Sequence, residues 1–218
     1  MILVIGFFCL LVFLYSLYIL GKDDYYLMKK NFFIDHLFDF TLAGIISGFC
    51  VGRIVSFFVK VANRGGFFYN IFSVRDIPFF LNDLVLGCIL AFYAIGKYKK
   101  IPIGHLFDFI SLAFLTCLPL WYISDAFYVK RNQLIIYIVL GICYLFTTVV
   151  FWKILLPRII SSKHKEGSLS SLFLIIFSFL TLAASFTYKI FSNAFVLGTE
   201  DILLLGMFLG GFVYLFRS

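Results

Sequence analysis

The sequence GIISGFCVGRIVSFF, residues 44–58, is an apolar stretch that carries a single charged residue, Arg53. An ionised side chain toward the middle of a bilayer costs about 2.5–3.5 kcal/mol on insertion scales, so it normally faces the protein interior and has a partner there. Four small residues recur along the stretch at helical spacing, namely Gly44, Ser47, Gly48 and Gly52. Small residues at this spacing let a neighbouring backbone approach closely. The stretch therefore predicts a helix packed inside a membrane protein.

The composition of the whole chain indicates the same class. Of its 218 residues, 63% are apolar and 13% are charged, whereas about 25% of the residues of a soluble domain are charged. A soluble enzyme or a soluble binding domain is therefore excluded. The length allows about seven spans of ~20 residues with short loops. We expect a single transmembrane domain over residues 1–218.

The apolar runs predict an all-α, polytopic fold of seven transmembrane helices. Residues 2–20 form an unbroken apolar run that lacks the basic start and the small-residue cleavage site of a signal peptide, so we expect it to be the first span. The predicted spans are 2–20, 37–59, 77–96, 103–124, 133–156, 169–190 and 202–216.

Lysine and arginine residues at the ends of these spans predict their orientation. With the first residue outside, the inner side carries eleven of them and the outer side six. Because cytoplasmic loops carry the excess of basic residues, we predict the N terminus outside and the C terminus in the cytoplasm. The net charge of +7 is divided among short clusters between apolar runs. Such clusters favour contacts with anionic lipid headgroups, and we expect no nucleic-acid partner.

This orientation brings the polar residues within the spans to one depth. Six of them fall near the outer leaflet: Arg53, Asn82, Asp83, Tyr122, Asp125 and Gln133. An arginine with two carboxylates available in one layer predicts a buried or half-buried ion cluster. Two interpretations stay open at this point, a structural clamp between helices and a binding site for a lipid headgroup.

The cysteines and histidines predict no metal site and no cofactor. All five cysteines fall inside apolar runs without the short spacing of a metal or redox motif, so we interpret them as small apolar side chains. The three histidines, His36, His105 and His164, lie at the predicted inner ends of spans, remote from the outer cluster. We expect them to contact headgroups or solvent.

The segments together resemble the prolipoprotein diacylglyceryl transferase family, the bacterial inner-membrane enzymes that start lipoprotein maturation. GIISGFCVGRIV, residues 44–55, resembles the second helix of that family, with Arg53 on the family's arginine. FLNDLVLGCILAFYAIGKYKKIP, residues 80–102, resembles its FHGGLIGG-type helix with a basic exit. HLFDFISLAFL, residues 105–115, resembles the start of the next helix, with Asp108 on the family's aspartate.

The remainder of the chain continues the resemblance in the same order. Gln133, Leu134 and Gly141 match parts of the segment around the family's Ser-Gln-Leu-Tyr-Glu, and EGSLSSLFLIIFSFL and LGTEDILLLGMFLGG resemble its last two helices. The family's His-Gly-Gly is replaced here by Leu81, Asn82 and Asp83. Its Arg-x-Gly-Asn-Phe signature corresponds to residues 122–126, and its sixth-helix arginine and the following glutamate fall on Thr181 and Ser185.

The resemblance implies an enzyme of the bacterial cytoplasmic (inner) membrane that transfers diacylglyceryl from phosphatidylglycerol to the cysteine of a lipoprotein precursor. A phospholipid, phosphatidylglycerol, and the precursor would be its partners. Asp83 would be the catalytic base, and Arg53 would hold the phosphate. Asn82, Tyr122, Asp125 and Gln133 would complete the headgroup site.

Two other functions stay open beside the transferase. The first is a non-catalytic relative that binds lipid or a partner protein and uses the fold as a scaffold. The second is a small seven-helix transporter or receptor. Against the second, the last predicted span has no lysine for a retinal Schiff base, and we find no internal repeat or proline-interrupted helix pair of the kind that marks transporter sites.

Overall fold

The computed structural model describes residues 2–22, 24, 34–64, 77–99, 103–127, 129, 131–157, 166–191 and 198–217. These residues form seven helices and no strand: α1 Ile2–Gly21, α2 Ile34–Arg64, α3 Ile77–Lys99, α4 Ile103–Ala126, α5 Arg131–Val150, α6 Ser168–Phe191 and α7 Thr199–Arg217. A π-helical turn, Phe151–Leu155, continues α5. The all-α prediction is confirmed, and each predicted span falls on one helix.

Five of the helices contain a stretch long and apolar enough to cross a membrane: Val4–Gly21, Ile34–Val51, Ile103–Ala126, Gln133–Leu155 and Ser168–Phe191. The apolar stretches of α3 and α7 are shorter, Leu84–Tyr98 and Asp201–Phe216. Many large apolar side chains point away from the helix packing, such as Phe8, Phe146 and Phe179. An apolar exterior on apolar helices is the surface that a lipid bilayer solvates. The chain therefore has the features of a multi-pass membrane protein.

Helix α4 lies at the centre of the fold. Of its 24 residues 14 are buried, compared with four of the 23 residues of Gln133–Leu155. Leu115 and Leu118 belong to an apolar core shared with α5, α6 and α7. Leu106 and Phe109 belong to a second core, which α4 shares with α1 and α2. Because both cores include α4, this helix connects the two halves of the structure.

Helices α2 and α3 form a close antiparallel pair. Gly44 of α2 lies against the ring of Phe92, which leaves no room for a larger side chain. A Cβ atom at Gly48 would lie 2.7 Å from the Cα atom and the backbone nitrogen of Cys88. The predicted close approach of a neighbouring backbone therefore occurs at Gly48, while Gly44 makes room for a ring, and the neighbour at both positions is α3.

A proline in α4 is compensated by a hydroxyl of α5. Pro119 has no N–H, so the carbonyl of Leu115 four residues earlier loses its helical hydrogen bond. The Thr148 hydroxyl lies 3.0 Å from that oxygen and 2.7 Å from the carbonyl of Tyr144 in its own helix. The Thr148 hydroxyl therefore shares its proton between two carbonyl oxygens. One of them is the Leu115 oxygen, which Pro119 leaves without a helical donor.

A buried carboxylate joins α6 to α7. Asp201, 1% exposed, accepts the N–H of Gly198 at 2.7 Å and the hydroxyl of Ser185 at 2.9 Å. It also forms an ion pair with Lys189. The bond to Gly198 is the return half of a capping box, which satisfies an N–H that a helix start leaves without an intrahelical partner. Asp201 therefore caps α7 and holds it against α6.

We predict that Gly48→Ala destabilises the protein by about 1–3 kcal/mol, because the added Cβ forces the backbones of α2 and α3 apart. Thermal unfolding in detergent, followed by the loss of the monodisperse peak in size-exclusion chromatography, measures the change.

The matched control is Gly206→Ala in α7, where an added Cβ meets nothing within 4 Å. Since alanine is favoured over glycine in a helix by roughly 0.5–1 kcal/mol, this control is expected to leave the unfolding temperature equal or higher. Equal unfolding temperatures for Gly48→Ala and Gly206→Ala would show that the backbones of α2 and α3 are not in close contact at Gly48.

Candidate functional site

A cleft of about 1180 Å³ lies between the α2–α3 pair and the helices α1, α4, α6 and α7. Its volume exceeds the range of about 300–1,000 Å³ usual for small-molecule sites. The walls are overwhelmingly apolar and take side chains from all six helices, among them Phe13, Phe49, Val85, Phe114, Phe173 and Leu203. A cleft of this size and composition suits long hydrocarbon chains.

The cleft opens sideways, toward the surface that faces the bilayer. Several of the residues that line it are exposed, including Phe7 of α1, Leu90 of α3 and Ile202 of α7. On α7, Gly206 and Gly210 also line the cleft, and a Cβ atom added at either would meet nothing within 4 Å. Space bounded by exposed side chains and bare glycines is accessible from the membrane without unfolding a helix.

Three of the polar side chains along the cleft bond to the protein itself. The thiol of Cys117 lies 3.2 Å from the carbonyl of Cys9, to which it donates. The hydroxyls of Ser170 and Ser171 donate to the carbonyl of Gly167 at 2.8 Å and 2.7 Å. Their protons are thus used within the fold, and the walls present a largely apolar surface to an occupant.

The predicted pair Arg53 and Asp83 lies on the two helices of the close pair. Gly44 contacts Phe92 and Gly48 contacts Cys88. A step of four residues forward along α2 therefore corresponds to a step of four residues backward along α3, as in an antiparallel pair. Continuing this antiparallel register brings residue 53 level with residue 83. The backbone therefore places the two at the same depth, as predicted, while their side chains lie outside the described part of the structure.

Asn82, the neighbour of Asp83, is buried in α3. Its side chain is 7% exposed, and the Oδ1 atom has no hydrogen-bond partner among the described residues. Val85 and Ile89 follow it at spacings of three and seven, hence on the same helical face, and both line the cleft. Asn82 thus lies one helical turn beyond the apolar wall of α3.

Tyr122 lies in an aromatic core between α4, α5 and α6. Its ring stacks on that of Tyr144 with centroids 5.2 Å apart and planes 8° apart. The Tyr144 hydroxyl donates to the carbonyl of Phe177 at 3.2 Å or bonds the hydroxyl of Thr181 at 3.0 Å. The positions of the family's two arginines, Tyr122 and Thr181, therefore come together, but around packed rings. Tyr122 is not among the residues that line the cleft.

Asp125 and Gln133 complete the predicted headgroup residues. Asp125 is buried one turn after Trp121, and the two side chains interact. Trp121 lines the cleft, which brings Asp125 close to its outer end. Gln133 is half-buried at the start of α5 and does not line the cleft. The headgroup role of these residues stays a prediction.

The residue that organises the opposite end of the cleft is Asp108. It is 4% exposed, and its two carboxylate oxygens accept the N–H groups of Gly167 at 2.8 Å and Ser170 at 2.7 Å. A carboxylate of α4 therefore caps the start of α6, where the helix dipole favours negative charge. The sequence singled out Asp108 only through the resemblance, because the backbone groups it binds have no sequence signature.

His105 ties the end of α1 to the same region. Its Nε2 atom lies 3.0 Å from Oδ2 of Asp24, and its ring packs on Phe109 with centroids 4.7 Å apart. Because α4 begins here, this contact and the Asp108 cap place the end of α1 and the starts of α4 and α6 at one side of the fold.

Comparison with known proteins assigns no family to this arrangement. No family model matches the chain, and neither a curated protein nor a solved structure matches it. Within the described ranges, no group of three or more His, Cys, Asp and Glu residues is placed to hold a metal ion. The function is therefore argued from the cleft and the residues around it.

We predict that Asp108→Ala destabilises the protein by about 1–3 kcal/mol for each of the two buried N–H groups it leaves without an acceptor. Asp39→Ala is the matched control, since Asp39 is exposed on α2 and surface substitutions usually stay within about 0.5 kcal/mol. Thermal unfolding in detergent measures both. Equal unfolding temperatures for the two variants would contradict the role of Asp108 as a helix cap.

Proposed function

We propose that this chain is a seven-span protein of the bacterial cytoplasmic membrane that binds the acyl chains of a phospholipid in its cleft. The observation that carries the proposal is the 1180 Å³ cleft, whose walls are almost wholly apolar and whose lining includes exposed side chains. In a bilayer, apolar space that is open to the side is solvated by hydrocarbon rather than water. Lipid chains are the occupant that this chemistry favours.

The lengths of α3 and α7 support seven spans. These helices have 23 and 19 residues, which at about 1.5 Å per residue extend for roughly 35 Å and 29 Å, close to the hydrocarbon thickness of about 30 Å. Each packs antiparallel against a helix with a full-length apolar stretch, α3 against α2 and α7 against α6. The excess of basic residues favours the C terminus in the cytoplasm.

Phosphatidylglycerol is the phospholipid that we propose as ligand. Its phosphate needs a cationic donor, and arginine binds phosphate with two parallel hydrogen bonds. The α2–α3 register supports a headgroup position beside Arg53, since it brings residues 53 and 83 level and Asn82 next to them. Trp121, at the same end of the cleft, has an amphipathic ring of the kind that lies at membrane interfaces.

Transfer of diacylglyceryl to a lipoprotein cysteine is the second candidate, favoured by the ordered resemblance and by the level positions of residues 53 and 83. In this reaction a bond forms between the cysteine sulfur and the glyceryl carbon, while the bond from that carbon to the phosphate oxygen breaks. Glycerol phosphate leaves, and the thiol proton passes to a base. Asp83 would be that base, and Arg53 would stabilise the leaving phosphate.

The binding proposal predicts that brominated acyl chains quench the fluorescence of Trp121. The chain has two tryptophans, so Trp152→Phe leaves Trp121 as the single reporter at the cleft. Phosphatidylglycerol brominated in its acyl chains is titrated into detergent-solubilised protein at low lipid-to-detergent ratio. We expect saturable quenching, and about tenfold weaker binding when Gly206→Phe fills the open space in the cleft, which corresponds to about 1.4 kcal/mol.

Val213→Phe is the matched control, because Val213 is exposed on α7 and does not line the cleft. It is expected to bind like the parent. Equal loss in both variants, or no saturable quenching at all, would contradict acyl-chain binding in the cleft.

The transferase candidate predicts complementation of a bacterium depleted of its own diacylglyceryl transferase. The readout is thioether-linked diacylglycerol on a reporter lipoprotein. Since loss of a general base typically reduces the rate by about 10²–10⁴-fold, Asp83→Ala should abolish detectable modification. Arg53→Ala should also abolish it, because the leaving phosphate loses the arginine that stabilises it. An inserted, folded chain that modifies no lipoprotein would leave the lipid-binding or scaffolding function.

A further inference from the structure

The cleft extends along almost the whole length of α4. Its lining begins at Ile103, the first residue of that helix, and ends at Trp121. These positions are 18 residues apart, which at about 1.5 Å per residue corresponds to roughly 27 Å. The hydrocarbon core of a bilayer is about 30 Å thick, and each of its two leaflets supplies about half. The chains of one phospholipid therefore fill only about half of the cleft.

Tyr214 of α7 marks the end of the cleft away from Trp121, which we call the Tyr214 end. A Cβ atom at Gly167 would lie 2.6 Å from both Cε1 and the hydroxyl oxygen of Tyr214. Gly167 in turn bonds Asp108, near the start of α4. Tyr214 therefore lies at the depth where α4 begins, and the two ends of the cleft face opposite leaflets of the membrane.

The Tyr214 end is open to the bilayer, as the Trp121 end is. Gly96 of α3 contacts Ile103 at the start of α4, and Tyr93 precedes Gly96 by about one turn. Tyr93 and Tyr214 both line the cleft and are both exposed, as is Ile202 at the opposite end of α7. Lipid from either leaflet therefore has access to the cleft.

The half of the cleft near Tyr214 also favours hydrocarbon. On α4 it is lined by Ile103, Phe107 and Ile110, and apolar walls are unfavourable in contact with water. Tyrosine and tryptophan are enriched at the two membrane–water interfaces, and here Trp121 lies at one end and Tyr93 and Tyr214 at the other. Each end of the cleft thus has the aromatic residues typical of an interface.

We propose that the cleft holds two phospholipids at once, one from each leaflet, with their chain ends meeting near the middle of α4. This inference rests on the proposed lipid-binding function and adds a second lipid site, at the Tyr214 end. In this arrangement each headgroup lies at an interface and the methyl ends lie at mid-depth, as they do in the bilayer itself.

A single lipid with chains long enough to fill the cleft fits less well. Its headgroup would lie at one interface, and its chain ends would then lie at the other. Each CH₂ group that is exposed to water there costs about 0.8 kcal/mol. Two lipids placed end to end fill the same length without bringing chain ends to an interface.

The test places one tryptophan reporter at each end of the cleft. Trp121 in the Trp152→Phe background reports on one end. Tyr93→Trp, in a chain that also carries Trp121→Phe and Trp152→Phe, reports on the other. Phosphatidylglycerol with brominated chains is titrated into the detergent-solubilised protein, and we expect saturable quenching of both reporters.

The position of the bromines distinguishes two lipids from one without altering the cleft further. With two lipids, each reporter lies at the headgroup end of its own lipid, so bromines close to the ester should quench both more strongly than bromines at the chain end. With one long lipid, the two reporters would show opposite preferences. Opposite preferences would therefore overturn the inference.

Gly206→Phe tests whether the two sites are separate. Gly206 lies nearer to Ile202 than to Tyr214 along α7, and helical side chains tilt toward the helix N terminus, which here is the Trp121 end. The phenylalanine should weaken binding at Trp121 about tenfold and leave binding at the Tyr93→Trp reporter unchanged. Equal weakening at both reporters would overturn the inference and indicate one lipid along the whole cleft.

Val213→Trp, in the same background without the two native tryptophans, is the matched control reporter. Val213 is next to Tyr214, is exposed, and does not line the cleft, so its quenching should rise with lipid without saturating. Saturable quenching there equal to that at Tyr93→Trp would overturn a second site inside the cleft. Saturable quenching at Trp121 alone would overturn the inference but not acyl-chain binding, whereas no saturable quenching at either end would overturn both.

Discussion

The contact on which the helix arrangement most depends is the carboxylate of Asp108 on the first turn of α6. It fixes the start of α6 against α4, the helix common to both apolar cores. At the far end of α6, Asp201 fixes the start of α7 in a related way, by capping it while bonding Ser185. Two buried carboxylates thus set one wall of the cleft, and the glycine contacts between α2 and α3 set the opposite wall. Since lipid gives helices little hydrophobic reason to associate, such directed contacts and close fits decide where each helix lies.

Hydroxyl and thiol groups in the helices follow a second constraint, that no water is present to complete their hydrogen bonds. Thr148 shares its proton with the carbonyl that Pro119 has freed, and Cys117 donates to a carbonyl of α1. The hydroxyls of Ser170 and Ser171 donate to the carbonyl of Gly167, just before the start of their own helix. Oδ1 of Asn82 and the hydroxyl of Ser168 do not follow this constraint, because both are buried without a hydrogen-bond partner among the described residues.

Much of the fold was predictable because an apolar run of about 20 residues has few stable alternatives to a helix in a membrane. The spacing of Gly44 and Gly48 predicted a close neighbour for α2, but nothing in those residues identified α3 as that neighbour. Depth along a span was also predictable, and residues 53 and 83 are level as expected. Rotation about the helix axis was not, since the ring of Tyr122 stacks on Tyr144 inside the core. The cleft itself depends on gaps among six helices, and the partners of Asp108 are backbone groups, so neither has a local sequence signal.

The Asp108 cap also constrains the order in which the protein can be assembled. Its first partner, Gly167, lies 59 residues further along the chain, so the ribosome completes α4 well before the start of α6 exists. During that interval the carboxylate has no backbone donors, and an aspartate in the hydrocarbon costs about 2.5–3.5 kcal/mol at the centre of a helix. Asp108 is one turn from the start of α4, which allows it to stay at the aqueous surface while it waits. The cap therefore forms only after the start of α6 has been synthesised, since both of its backbone donors belong to that segment.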